Sequence, residues 1–369
     1  MMRRMTAVVA AILAFSCWVE VIGAAEEVAE QWVSPEEIAR AASHWTRERL
    51  LDAKPMTMLR SDRSVRPRDA GVPPSTNGNL RFAPETLPED SVLLNPTDGD
   101  LLAISGALVP DDPGSPTKSI PAPMRIEGAG YDYPPPQTTF YVLTSLYSVH
   151  PYCTIGKVAF ETGGEGAVCS GSSIGGRAVL TAGHCICSEG QWHTDWIFIP
   201  AYRNGTAPYG VWPAFYKTAF TSWLNDGYHC RDVAFAAVVD QGGKKLSKKV
   251  GALGIAWDPT TKYTDRLYHW NVFGYPAADP FDGYWLVETQ ASYAETDNDP
   301  DCTPDENGIG GIQTGGSSGG PWILDFTPGG GGNYANSVNS YHYTSQPYEK
   351  YGPYFDKEVK KLRDAAVKK

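Results

Sequence analysis

The chain has 369 residues, 42% hydrophobic and 20% charged, enough to build two or three packed units. Its net charge of -11 argues against a nucleic-acid partner, because such binders cluster Lys and Arg on one face. Beyond solubility, the acidity implies nothing about partners.

Met1-Met2-Arg3-Arg4-Met5 is a short basic start, and an apolar run follows from Thr6 to Val19. Gly23, Ala24 and Ala25 then precede the acidic pair Glu26-Glu27. The pattern predicts a secretory signal peptide over 1–25, and so an extracellular or periplasmic product. The apolar run is shorter than the ~20 residues of a membrane span, so no stable span is expected. Cys17 after Ala14-Phe15-Ser16 faintly resembles a lipoprotein cleavage box, the weaker reading. Loss of the signal leaves Cys153, Cys169, Cys185, Cys187, Cys230 and Cys302. An even number in an exported chain suggests disulfides, but not which ones.

Residues 26–140 read as an accessory segment. Ser34-Pro35-Glu36-Glu37 is a helix start with a cap, a first-turn proline and a capping-box acid, and the helix is expected to reach Asp52. From about 60 to 135 the chain is rich in Pro, Asp, Ser and Gly, and is expected to be extended or partly disordered. Short runs rich in β-branched and aromatic residues follow. They are Phe140–Leu146, Lys157–Phe160, Ala178–Thr181, Trp196–Pro200, Val233–Val239, Trp270–Gly274 and Trp285–Glu288. Strands so short and closely spaced suggest an all-β barrel or sandwich. The glycine run 329–332 reads as a flexible loop. Phe355, Val359, Leu362 and Ala366 fall at helical spacing, which predicts a terminal amphipathic helix over 355–367.

Leu180-Thr181-Ala182-Gly183-His184-Cys185 resembles the histidine box of trypsin-like and chymotrypsin-like peptidases at every position. Cys169-Ser170-Gly171 opens the segment, and the resemblance implies a Cys169–Cys185 disulfide beside the histidine. In Gly315-Gly316-Ser317-Ser318-Gly319-Gly320-Pro321, glycines let the backbone approach a substrate closely. The N–H groups of Gly316 and Ser318 would form an oxyanion hole there. Asp232, directly before the apolar run Val233–Val239, resembles the aspartate that orients the family's imidazole. Asp226 and Asp240 are its rivals.

Gly316-x-Ser318-x-Gly320 also matches the nucleophile elbow of α/β-hydrolases, which requires the order Ser, acid, His. Only residues 319–369 follow Ser318, with His342 their single histidine. They are too few to complete such a sheet. The order His184, Asp232, Ser318 fits the chymotrypsin arrangement instead.

The resemblance covers residues 140–369 and is closest to the bacterial trypsin-like and glutamyl endopeptidase branch. It implies two six-stranded antiparallel barrels, about 141–245 and 250–350, with a C-terminal helix and a cleft between them. His44-Trp45-Thr46-Arg47-Glu48-Arg49 looks like part of such enzymes' pro-regions. Residues 26–140 would then be a pro-region, a partner that blocks the cleft or aids folding, and 141–369 the peptidase domain. Ser317 stands where trypsin carries the aspartate that receives a new N-terminal amine, so that activation switch is lost.

Ile312 lies where trypsin has its basic-selecting aspartate, which argues against Arg/Lys preference. The pocket is expected from Ile312, Gln313, Thr314, Ser340, Tyr341 and His342, with His342 a candidate for holding a glutamyl carboxylate. Asp297, Asp299, Asp301, Asp305 and Glu306 lack the EF-hand pattern and read as a solvated loop. His193, His229 and His269 lack metal-ligand spacing, so no metal is expected. Cys187 with Cys230 and Cys153 with Cys302 are the remaining expected bridges. The whole reads as a monomeric serine endopeptidase acting on protein or peptide substrates without a cofactor. A catalytically silent binding homologue is the alternative, and an ester hydrolase a more remote one.

Overall fold

The computed structural model describes residues 26–60, 81–89, 135–258, 268–297 and 302–369. The signal peptide over 1–25 and most of the Pro-rich stretch fall outside these residues.

Six strands close into an antiparallel barrel. In order around it they are Ile155–Thr162, Glu165–Gly175, Ala178–Thr181, Ala234–Val238, Trp212–Phe220 and Thr194–Pro200. Barrel closure removes the sheet edges that would otherwise leave backbone groups unpaired. Val158, Phe160, Ile174, Leu180, Ile197, Phe235 and Val238 of these strands are all fully buried. A second sheet contains Gly254–Trp257, His269–Gly274, Val287–Asp297, Glu306–Gly310, Pro321–Leu324, Tyr334–Val338, Tyr341–Tyr343 and Glu349–Gly352. The helix Lys357–Val367 is capped by Asp356, whose Oδ1 accepts from Glu358 N and Val359 N. It turns Val359, Leu362 and Ala366 inward, beside Phe355. The expected all-β, chymotrypsin-like architecture with a terminal helix is the one observed.

The accessory segment is folded against this body. Val28–Trp32 pairs antiparallel with the Trp212–Phe220 strand. The single helix expected from Ser34 to Asp52 is two helices, Pro35–His44 and Arg47–Asp52. Ser34 Oγ caps the first and Thr46 Oγ1 the second. The break falls at Trp45, whose buried indole turns to donate to Asp195 O at 2.7 Å. Arg40 clamps the Asp195 carboxylate with two bonds of 2.8 and 3.1 Å. Docking onto the barrel therefore overrides helix continuity.

Three pairings among the described residues are parallel. Two belong to the accessory segment, Lys54–Pro55 on Ala167–Val168 and Met58–Arg60 on Tyr341–Tyr343. The third joins Gly254–Ile255 to Tyr334–Ala335. Residues 54–60 thus bridge the two sheets. Gln137–Tyr141 is a strand on Val287–Ala291, and a 3₁₀ turn at Thr144–Ser148 occupies the rest of the strand expected over 140–146.

Candidate active site

The strand Ala178–Thr181 ends in a 3₁₀ turn, Gly183–Cys185, that carries His184. Gly183 is needed there, because a Cβ would come within 2.6 Å of the Trp223 indole. Cys169 and Cys185 form a disulfide that ties this turn to the Glu165–Gly175 strand.

Asp232 follows a 3₁₀ turn at His229–Arg231 and precedes the Ala234–Val238 strand. Its carboxylate is fully buried. Oδ1 accepts from the His184 backbone N–H at 2.8 Å, and Oδ2 from His184 Nδ1 at 2.9 Å. Ser340 Oγ also donates to Oδ2. Burial opposes ionisation of Asp232, but His184 and these hydrogen bonds outweigh it and hold the carboxyl below its usual range. The second imidazole nitrogen, His184 Nε2, is buried and has no hydrogen-bond partner among the described residues.

Ser318 sits in the loop before the Pro321–Leu324 strand. The loop is pinned on both sides. Ser170 N donates to Ser318 O at 2.7 Å, and Ser170 Oγ to Gly316 O at 2.8 Å. Asn339 Nδ2 donates to Ser317 O and Phe273 O, each at 3.1 Å. Gly319, at φ +78°, is required, since a Cβ would lie 2.1 Å from Thr181 Oγ1. Ser317 closes the turn by donating to Thr314 O at 2.8 Å.

One peptide carbonyl faces this loop. Met56 O accepts from Gly316 N at 2.8 Å and from Ser318 Oγ at 3.3 Å. Met56 N in turn donates to Val168 O at 3.0 Å. The structure thus joins His184 directly to Asp232, and links Asp232 through Ser340 to the pocket that Ser318 lines.

Gln313, Thr314, Ser340, Tyr341 and His342 line that pocket; Ile312 does not. Most of the polar groups are committed. Thr314 Oγ1 donates to Ala278 O at 2.6 Å, and Tyr341 OH to Asp297 Oδ2 at 2.6 Å. Gln313 Nε2 is held by Val272 O and Thr289 Oγ1, each at 3.0 Å. Burial, with the Lys350 charge nearby, pushes the His342 imidazole down to about 3. Two lining residues carry no motif that singles them out, Thr57 and Lys350. A lysine inside the strand Glu349–Gly352 was the available signal for the second.

Two expectations need correction. Neither Cys187–Cys230 nor Cys153–Cys302 is bridged; all four stand as buried thiols. Cys230 N donates to Cys302 Sγ at 3.2 Å, which puts Cys230 beside Cys302, and Cys153 Sγ donates to Val250 O at 3.2 Å. His184 and Asp232 are already joined by two hydrogen bonds, so their loops need no bridge. The solvated acidic loop also fails at two positions. Asp297 pairs with Arg60 at 3.2 Å, and Glu306 is fully buried. Asp299 and Asp301 lie outside the described residues.

No protein-family model and no curated protein matches the chain. Solved structures do. Protease Anisep from Arthrobacter nicotinovorans is 36% identical, over 59% of this chain and 97% of its own, with a TM-score of 0.52. The chain belongs to the chymotrypsin-like serine peptidases. The thermostable serine protease AL20, from an extremophilic microorganism, is 35% identical over 59% of this peptidase and 98% of its own chain, with a TM-score of 0.52. A Glu endopeptidase aligns at 18% identity over 63% of this peptidase and 97% of its own chain, with a TM-score of 0.49. Among the described residues of the peptidase, no helix is long and apolar enough to cross a membrane.

Proposed function

We propose that the protein is a secreted serine endopeptidase, made as a latent precursor, that works through His184, Asp232 and Ser318. The observation that carries this reading is the Met56 carbonyl. A peptide oxygen is held by Gly316 N–H and accepts from Ser318 Oγ, and Ser340 links the pocket that Ser318 lines to the buried carboxylate that orients His184. That is the relation a peptide substrate needs.

In the active state, Ser318 Oγ attacks the carbonyl carbon of the scissile peptide and His184 Nε2 takes its proton. The oxyanion gathers the N–H groups of Gly316 and Ser318. Collapse releases the amine, protonated by His184, and leaves an acyl-enzyme that water hydrolyses. Asp232 holds the imidazole and stabilises its charge. No trypsin-like preference is expected, because none of the described residues that line the pocket is acidic, and one, Lys350, is basic.

Residues 1–25 act as the export signal and the following segment as the pro-region. That pro-region covers residues 26–140, and its last strand, Gln137–Tyr141, pairs with Val287–Ala291. The precursor is latent because Ser318 Oγ donates to Met56 O while His184 Nε2 has no partner among the described residues.

The test is labelling by a serine-reactive fluorophosphonate before and after proteolytic removal of the pro-region, with Ser318→Ala as control. Labelling and peptide cleavage that rise on removal and vanish in Ser318→Ala support the reading. A trimmed, folded protein that neither labels nor cleaves would instead be a silent binding homologue.

A further inference from the structure

Arg60 ends the Met58–Arg60 strand of the accessory segment, and its side chain is only 10% exposed. Its Nη1 donates to Asp297 Oδ2 at 3.2 Å. Tyr341 OH and Tyr343 OH each donate to that same oxygen at 2.6 Å, which fixes the carboxylate. The guanidinium also stands over both rings, 5.1 Å from the Tyr341 centroid and 5.5 Å from that of Tyr343. One planar cation thus meets a carboxylate and two ring faces. Each of those contacts favours a guanidinium over a neutral side chain.

The cation and the box that holds it come from different parts of the chain. Asp297 ends the Val287–Asp297 strand, and the two tyrosines lie on Tyr341–Tyr343. Arg60 is held against that strand by parallel pairing with Tyr343, and Thr344 N donates to Arg60 O at 3.3 Å. On the proposed reading, removal of the pro-region takes Arg60 away and leaves the box on the peptidase. Asp297 then loses a counter-charge at a place where its side chain is 16% exposed. A poorly solvated carboxylate without its partner is costly, so a replacement cation is favoured.

We propose that Asp297, Tyr341 and Tyr343 form a distal specificity site of the activated peptidase. The site takes an arginine or lysine side chain of the substrate, roughly three or four residues before the cleaved bond. The proposal rests on Ser318 being the nucleophile. The distance follows from the segment that fills the cleft, where Met56 O meets Ser318 Oγ and Arg60 fills the box. The side follows from Tyr341, which lines the pocket beside Ser318 as well as the box. A substrate residue in that pocket and one in the box would therefore lie along the same strand. The preference of the pocket itself does not enter. Arginine should outrank lysine, because a planar guanidinium pairs with the carboxylate and stacks on the rings at once.

The experiment uses the full chain activated by limited proteolysis. Matched peptides carry arginine, lysine or citrulline at each position before the bond; citrulline keeps the shape of arginine without its charge. At one of the named positions, arginine should give kcat/KM on the order of 10-fold above citrulline, with lysine between them. Asp297→Asn should bring arginine and citrulline to parity, Asp297→Glu should keep arginine ahead, and Tyr343→Leu should narrow the difference. Fluorophosphonate labelling of each protein reports folding and Ser318 separately from the box. Equal turnover of arginine and citrulline peptides by the wild type overturns the site and leaves Ser318 intact, and needs no variant to fold. An arginine preference that persists undiminished in a labelled Asp297→Asn or Tyr343→Leu overturns it equally. Absence of labelling in every protein overturns the reading of Ser318, and this site with it.

Discussion

Ser318 Oγ donates to the carbonyl oxygen of Met56, 262 residues earlier in the chain, at 3.3 Å. The same oxygen takes the Gly316 N–H at 2.8 Å. The Ser318 hydroxyl hydrogen is thereby turned toward a carbonyl, while His184 Nε2 has no partner among the described residues. A serine hydroxyl is a weak nucleophile until a base is hydrogen-bonded to it. On the proposed reading, this contact would keep the precursor latent although the His184–Asp232 pair is assembled.

Met56 is tied to the first barrel by a backbone bond, Met56 N to Val168 O at 3.0 Å. Met56→Pro removes that donor and leaves the carbonyl. A hydrogen bond of this kind contributes about 1 kcal/mol net, so the untrimmed chain should label with fluorophosphonate roughly 5-fold faster. An unchanged rate in a folded variant would show that residues 54–60 do not limit access to Ser318.

Asp232→Asn keeps the size of the side chain but places an amide where only acceptors fit. Oδ1 and Oδ2 both receive donors, from the His184 backbone, His184 Nδ1 and Ser340. One of them must meet an N–H after substitution, and the imidazole loses its orientation. The expected loss in kcat is about 10⁴-fold with KM little changed. Ser340→Ala removes a single donor and should cost about 10-fold. Steady-state kinetics on the activated enzyme checks both, and equal losses would contradict the geometry.

The parts read correctly from sequence alone are those whose residues are adjacent in the chain. The run Leu180–Cys185 carries its own strand, turn and disulfide cysteine, and the architecture followed from short strands at close spacing. Met56 carries no such local mark. Its place beside Ser318 arises from strand pairing, Met58–Arg60 with Tyr341–Tyr343. The helix over 35–52 was misread because Trp45 leaves it for Asp195, a contact spanning 150 residues. The cysteine partners were misassigned for the same reason, since spacing along the chain does not fix which thiols meet.

Replacing Cys169 and Cys185 together by Ser opens a loop with a sequence separation of 16. Closing a loop of that size is worth about 3 kcal/mol, so urea unfolding should lose about that much. The change should also slow fluorophosphonate labelling, because Cys185 directly follows His184. Non-reducing peptide mapping of the wild type should recover the Cys169–Cys185 peptide pair.

Glu306 makes stability depend on pH. Its carboxyl is fully buried, and neither oxygen has a hydrogen-bond partner among the described residues. Burial, together with Cys302 and Asp297, pushes it up to about 9 from 4.5. Between those values the folded chain holds a proton that the unfolded chain has released. Stability from this group is present below about 4.5 and is lost as pH rises toward about 9. Glu306→Gln keeps the shape without the proton, so it should melt close to wild type at pH 4.5 and progressively above it toward pH 8. Because Glu306 is buried, the gap at pH 8 should reach at least about 1 kcal/mol. Thermal melts of both proteins at the two pH values check the prediction, and parallel pH curves would mean that Glu306 is ionised in the folded protein.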